Sequence, residues 1–154
     1  MRKHWIELAA IVLLAVLALV VWFHNAPQES PFKSYFSQAE QFEESQNWEL
    51  ARAAWLFARH HADTMYDQRT VDGNPTFYGR VISGAQVYCD YRVAMTFERQ
   101  GDYAQAVEQL KQVLATPALT INAYLGSNGA REIAKDLSYV REVQAGSPSP
   151  CERG

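Results

Sequence analysis

The chain combines one continuous apolar run with several segments in which apolar residues recur every three or four positions. The run extends from Trp5 to Phe23 and contains a single charged residue, Glu7. A spacing of three and four places apolar side chains on one face of a helix. We therefore predict an all-α protein. The periodic segments cover residues 31–45, 48–62, 77–100, 103–115 and 128–144.

Residues that favour turns and caps separate these segments. Ser30-Pro31 is typical of a helix start, because Ser caps the first turn and Pro tolerates its missing N–H there. Asn47 occupies the matching position before the second segment. Gly101 can end a helix in the left-handed conformation, and Asp102 can cap the helix that follows.

Three stretches are less regular. Residues 63–76 lose the period and contain Asp72-Gly73-Asn74-Pro75, so we predict a surface loop. Gly79 and Gly84 weaken the first half of the segment 77–100, and we expect them to bend or split that helix. The segment 118–126 fits either a helical turn or an extended linker.

The apolar run predicts a transmembrane helix. Nineteen residues of helix rise about 28 Å, close to the roughly 30 Å of a bilayer's hydrocarbon core. Arg2 and Lys3 precede the run, and residues 24–30 contain no Lys or Arg. The positive-inside rule then predicts a cytoplasmic N-terminus and an exported C-terminal domain. The short form suggests a bacterial inner-membrane protein with a periplasmic domain.

A cleaved signal peptide is the competing interpretation, since it also begins with basic residues. The only candidate cleavage site, His24-Asn25-Ala26, has His where a small residue is needed. We therefore favour an uncleaved anchor. The predicted organisation is a cytoplasmic N-terminus, a span, a linker, a helical domain and a disordered tail, at residues 1–4, 5–23, 24–30, 31–144 and 145–154.

The charge outside the anchor argues against nucleic-acid binding. Excluding Arg2, Lys3 and Glu7 from the 14 basic and 17 acidic residues leaves 12 and 16, a net charge of −4. A phosphate backbone attracts basic tracts, and none occurs here. The two cysteines, Cys89 and Cys151, fall in the predicted export domain, where a disulfide is permitted. A buried, unpaired Cys89 is the stronger interpretation.

Two helical pairs repeat at an offset of 55 residues. Ala39 and Phe42 match Ala94 and Phe97, and Trp55 matches Leu110. Small residues recur where helices cross closely, and large ones recur where space between them must be filled. Such self-similarity is the sequence signature of stacked helical hairpins. The remaining matched pairs are Asn47 with Asp102, Trp48 with Tyr103, Ala51 with Ala106 and Ala58 with Val113.

These residues, with the turn Gly101-Asp102-Tyr103, resemble the tetratricopeptide (TPR) repeat over residues 32–117. The first copy departs from the pattern in having Gln46 where Gly is usual. The 55-residue offset also exceeds the usual 34, so about 21 residues are inserted between the copies. The resemblance implies TPR-like antiparallel hairpins followed by a C-terminal capping helix.

The resemblance also implies an inner groove, lined by the first helix of each pair, that binds a segment of another protein. The implied partner-binding residues are Phe36, Glu40, Glu43, Tyr88, Tyr91, Met95 and Arg99, with Lys33, Glu44 and Glu98 beside them. Tyr91 and Arg99 are expected to face outward, so that their removal would leave folding nearly intact.

Catalysis is not expected. No phosphate-binding loop, Cys-x-x-Cys pair or nucleophile elbow occurs, and His60-His61 point about 100° apart on a helix, which suits no shared metal ion. We predict neither cofactor nor metal. The expected role is a membrane-anchored, periplasm-facing interaction module that assists assembly, maturation or scaffolding of a complex. The alternative is a small structural subunit built permanently into a membrane complex.

Overall fold

The computed structural model describes residue 16 and residues 30–66 and 75–146, and these residues form helices and no strands. The predicted all-α fold is therefore confirmed. Within residues 30–66 and 75–146, six α-helices and one short 3-10 helix follow one another. They are α1 (Pro31–Glu44), α2 (Trp48–His60), the 3-10 helix (Ala62–Met65), α3 (Pro75–Arg99), α4 (Tyr103–Leu114), α5 (Ala118–Leu125) and α6 (Gly129–Gln144).

Side chains cap α1, α2 and α4 at the positions that the sequence predicts. The Lys33 backbone N–H donates to Ser30 Oγ at 3.3 Å, at the start of α1. The carboxylate of Asp102 accepts from the Gln105 N–H at 3.2 Å, at the start of α4. Asn47 does the same for α2. Each cap satisfies an N–H group that has no partner within its helix.

Each helix packs on its neighbours in an order that builds a layered stack. Helix α1 packs on α2, α2 packs on α3, and α3 packs on both α4 and α5. Helix α6 then covers α4 and α5. The long helix α3 therefore belongs to both halves of the domain, and it carries most of the predicted groove residues.

The turns α1–α2 and α3–α4 have the same hydrogen bonds at an offset of 55 residues. The Asn47 N–H donates to the Phe42 carbonyl at 2.8 Å, and the Asp102 N–H donates to the Phe97 carbonyl at 2.9 Å. One residue in each turn is left-handed, Gln46 with φ 57° and Gly101 with φ 81°. Gly adopts this conformation without the Cβ clash that Gln46 incurs.

The core is built from matched positions of the two hairpins. Trp55 and Leu110 are fully buried, and each fills the space beside small side chains. The other matched positions that are buried in both hairpins are Ala39 with Ala94, Ala51 with Ala106 and Ala58 with Val113. Large and small residues thus alternate across facing helices, which allows the backbones to approach one another.

Helix α3 is one continuous helix of 25 residues, so the expectation that Gly79 and Gly84 split it is wrong. Gly84 instead permits a close helix crossing. A Cβ there would lie 2.7 Å from the Thr120 carbonyl oxygen and 2.9 Å from Tyr124 Cβ on α5. Gly79 has nothing within 4 Å of such a Cβ.

Two irregular stretches are more ordered than the sequence indicates. The segment 118–126, for which helix and linker both stayed open, is helix α5 over Ala118–Leu125. The start of the predicted loop 63–76 forms the 3-10 helix, which packs on α1, α2 and α3. It is fixed by Thr64, whose Oγ1 accepts from the Phe32 N–H at 3.2 Å and donates to the His61 carbonyl.

Within residues 30–66 and 75–146, no helix is both long enough and apolar enough to cross a membrane. The predicted span at 5–23 lies outside the described residues except for residue 16. The linker at 24–29, the turn at 72–74 and the tail from residue 147, which includes Cys151, also lie outside them.

The two glycines of α3 provide a matched test of the crossing with α5. Gly84→Ala should destabilise the fold by about 1–3 kcal/mol, because the new methyl group overlaps backbone atoms of α5. Gly79→Ala should stabilise it by about 0.5–1 kcal/mol, because Ala loses less conformational entropy in an open helical position. Urea unfolding of both variants measures the difference. Equal changes in the free energy of unfolding would show that a methyl group at position 84 does not overlap α5.

Candidate functional site

A cleft of about 290 Å³ opens where the end of α1, the start of α2 and the second half of α3 meet. Four of the seven predicted groove residues line it: Glu43, Tyr91, Met95 and Arg99. Trp48, Arg92 and Thr96 complete the lining. The helical register brings them together, since Tyr91, Met95 and Arg99 are four residues apart on α3.

Glu43 joins the three helices that form the cleft. Its Oε1 accepts a hydrogen bond from Trp55 Nε1 on α2 at 2.7 Å. Arg92 on α3 donates hydrogen bonds to both carboxylate oxygens of Glu43. Its Nη1 also donates to the Tyr88 hydroxyl at 3.0 Å. The Glu43 side chain is 14% exposed and that of Arg92 is 29% exposed. A shielded ion pair of this kind fixes geometry, because either charge alone would lack its partner.

Arg92 also lies beside aromatic rings. Its guanidinium carbon is 5.2 Å from the centre of the Trp55 ring and 5.8 Å from that of Tyr88. Burial lowers the pKa of Arg92, while the negative charge of Glu40 opposes that shift. Arg92 therefore has a structural role in the wall of the cleft. Its guanidinium already contacts Glu43 and the rings of Trp55 and Tyr88, so it is not the group that binds a ligand.

Tyr91 has a structural role in addition to lining the cleft. Its ring is half-buried and packs against the cluster that contains Leu110 and Leu137. Its hydroxyl donates to Asp136 Oδ2 on α6 at 2.8 Å. Burial, followed by the hydrogen bond to Asp136, raises the pKa of Tyr91. The expectation that Tyr91 faces outward and could be removed without loss of stability is therefore wrong.

Arg99 is the exposed cation of the cleft. Its side chain is 63% exposed, and its Nε lies 3.4 Å from Glu98 Oε2. Met95, one turn earlier, is half-buried and presents a flexible apolar side chain beside it. An exposed Arg next to Met and Trp48 gives the cleft both an ionic and an apolar contact for a ligand.

The remaining predicted residues form an aromatic surface next to the cleft. The Phe36 ring stacks on that of Tyr88 with centres 5.9 Å apart, and Tyr88 lies 5.4 Å from Tyr124 on α5. Tyr88 is also 6.2 Å from Tyr91. We call the three tyrosines 88, 91 and 124 the tyrosine floor. Glu40 is exposed one helical turn after Phe36, on the same side of α1.

Sequence reasoning missed Trp48, Arg92, Thr96 and Tyr124. Arg92 adjoins the predicted groove position Tyr91, but its role depends on Glu43 being 49 positions away along the chain and close in space. Tyr124 joins the site only because Gly84 lets α5 approach α3. The sequence repeat pairs Trp48 with Tyr103 at the start of a helix. Only the structure shows that Trp48 is half-exposed and can contact a ligand.

The described residues hold no arrangement suited to metal or thiol chemistry. No group of three His, Cys, Asp or Glu side chains in residues 30–66 and 75–146 could hold a metal ion. Cys89 is fully buried, and burial raises the pKa of its thiol to about 12. A reactive cysteine requires the thiolate at neutral pH, so Cys89 is a core residue.

Comparison with protein-family models, with curated protein sequences and with solved structures finds no match to this chain. The functional interpretation therefore depends on the geometry described above. The cleft and the tyrosine floor combine aromatic, Met and Arg side chains, and these residue types are enriched in protein–protein interfaces.

The role of Glu43 can be tested against its exposed neighbour Glu44. Glu43→Ala should cost about 2–3 kcal/mol of folding stability, because it leaves the Arg92 guanidinium and the Trp55 N–H without their acceptor. Glu44→Ala, the same change at an exposed position, should stay within about 0.5 kcal/mol. Thermal unfolding followed by circular dichroism measures both. A Glu43 variant as stable as the Glu44 variant would contradict the three-helix link.

The tyrosine floor should make the folding stability fall as the pH rises in the alkaline range. Burial raises the pKa of Tyr88 from 10.0 to about 12, so the folded state retains a proton that the unfolded state releases. The contribution of Tyr88 is complete below about pH 10 and is lost as the pH rises toward 12. Tyr88→Phe should flatten this part of the stability profile, measured by urea unfolding at several pH values. An unchanged slope would contradict the shielding of Tyr88.

Proposed function

We propose that this protein is a membrane-anchored, TPR-like interaction module whose helical domain faces the periplasm and binds another protein. The cleft lined by Trp48, Met95 and Arg99 is the observation that carries this proposal. It offers an exposed Arg, a flexible Met and an aromatic ring on one surface. Such side chains carry much of the binding energy at protein interfaces.

The TPR-like interpretation is supported by the shared features of the two hairpins. Their turns have the same hydrogen bonds, and small and large core residues recur at the same offset. In such a stack the first helices of the pairs share one surface, and α1 and α3 share the surface that carries Glu43, Met95 and Arg99. An extended polypeptide segment fits a surface of this shape better than a compact small molecule does.

The membrane anchor is supported by sequence alone. The apolar run 5–23 has the length of a span. Of its two immediate flanks, only the N-terminal one contains Lys or Arg, since residues 24–30 contain neither. Only residues 24–30 separate the run from α1. The start of α1 in an anchored chain would therefore lie within about 25 Å of the bilayer surface. A partner held there would be a membrane or periplasmic protein, which fits a role in assembly, maturation or scaffolding.

A permanent structural subunit is the second candidate. The small residues of the apolar run, among them Ala10 and Ala18, would then pack against other spans. The two candidates differ in where the partner makes contact. A transient partner of the module touches the cleft, whereas a permanent neighbour touches residues 5–23.

Arg99 and Arg131 allow a matched test of the cleft. Both are exposed, with side-chain exposures of 63% and 66%, and each has a loose ion pair with the adjacent Glu. A photoactivatable amino acid at position 99 of the full chain should crosslink a partner in intact cells, and one at position 131 should not. Arg99→Ala should weaken the recovered complex about 5- to 30-fold, equivalent to about 1–2 kcal/mol.

The control is Arg131→Ala, which should leave the complex unchanged and unfold within about 0.5 kcal/mol of the parent. Arg99→Ala should cost about 1 kcal/mol of stability, because the shielded Glu98 carboxylate, 13% exposed, loses its ionic contact. Crosslinks only from positions within 5–23 would favour the structural subunit. Equal losses from both Arg variants, or no crosslink from position 99, would move the binding surface away from the cleft.

A further inference from the structure

The cleft and the adjacent tyrosine floor form one surface, which we call the groove, and its two ends differ in chemistry. Arg99 lies at one end, and the tyrosine floor with Glu40 lies at the other. Tyr88 and Arg99 are eleven residues apart on α3, which corresponds to about 16 Å along the helix axis. An extended segment of about five residues covers this distance, so one bound segment can contact both ends.

Glu40 is an exposed carboxylate that makes no ion pair with another described residue. None of the ion pairs within residues 30–66 and 75–146 includes it. Its charge opposes the lowering of the Arg92 pKa, but Arg92 donates its hydrogen bonds to Glu43 and Tyr88. The exposed carboxylate of Glu40 can therefore still form an ion pair with a cation of a partner.

The tyrosine floor places aromatic rings beside this carboxylate. Phe36, one turn before Glu40, stacks on Tyr88, and Tyr88 contacts Tyr124 at 5.4 Å. Burial raises the pKa of Tyr124, and Cys89, Tyr66 and then Glu40 add to that shift, so the Glu40 charge reaches the floor. Cations bind well over the faces of aromatic rings, and a carboxylate close to such a face adds an ionic contact.

We propose that this end of the groove binds a Lys or Arg side chain of the partner polypeptide, with Glu40 as the ionic contact and Tyr88 and Tyr124 as the aromatic contacts. The inference rests on the proposed interaction role and specifies the chemistry of the partner. Charge complementarity supports it, because the predicted export domain is acidic and the exposed Glu40 makes no ion pair with another described residue. Arg99 then selects an acidic or polar group about five residues away in the same segment.

Defined peptides test this without knowledge of the natural partner. The probe is an eight-residue peptide with two lysines at one end, two glutamates at the other and a four-residue leucine–alanine centre, so that the inner lysine and glutamate are five residues apart. It is made in both sequence orders and labelled with an uncharged dye. A second pair has glutamine in place of lysine. Binding to the full chain in lipid nanodiscs is measured by fluorescence anisotropy at low and high salt.

The lysine peptide should bind at least fivefold more tightly than the glutamine peptide in one of the two orders, and the difference should shrink at high salt. Glu40→Gln should abolish that difference. The control Glu142→Gln removes the same charge from an exposed position on α6 and should preserve it. The comparison isolates the contact between Glu40 and the lysine from general charge effects.

A second set of variants tests the rings. Tyr124→Phe keeps the aromatic face and should preserve the preference for lysine, whereas Tyr124→Leu should reduce it. A preference that persists in Glu40→Gln, or its absence in the parent protein, would overturn the inference. Either result leaves the crosslinks from position 99 intact. Failure of the interaction role itself would appear as the absence of those crosslinks.

Discussion

The carboxylate of Glu43 accepts hydrogen bonds from two other helices, and the positions of the other site residues depend on this. Trp55 is the largest fully buried residue of the first hairpin, and its indole N–H must find an acceptor inside the domain. Glu43 supplies that acceptor and at the same time binds Arg92 of α3. The three helices are thus held at one separation and one register. The cleft is the space that remains beside this contact.

The second constraint is the close crossing of α3 and α5 at Gly84. It brings Tyr124 of α5 against Tyr88 of α3. The aromatic surface therefore extends from the α1–α2 hairpin to α5. Helix α3 therefore has two functions in the architecture. Its Cys89 side contributes to one core cluster and its Ala94 side to the other. The groove residues lie between them, supported on both sides by packed helices.

Local sequence signals predicted the helices well. Ser30, Asn47 and Asp102 cap the helices that follow them, because a side-chain oxygen and a free backbone N–H meet within three residues. The 3–4 spacing identified the buried residues Ala51, Trp55 and Ala58 of α2 and their counterparts on α4, although α2 also exposes Leu50, Leu56 and Phe57. The sequence was misleading at Gly84, where a residue that weakens an isolated helix serves a tertiary contact. It was also misleading at Tyr91, whose partner Asp136 is 45 positions away.

The sequence by itself therefore determined the helices, their caps, the pairing of small and large core residues and the candidate surface on α1 and α3. These features depend on neighbours within a few residues or on a regular period. The tertiary structure decided which groups share a charge or a hydrogen bond. Glu43 accepts hydrogen bonds from Arg92, whereas Glu40, one turn earlier on α1, makes no ion pair with another described residue. Glu40 and Glu43 lie on one helix, and only the position of α3 distinguishes them.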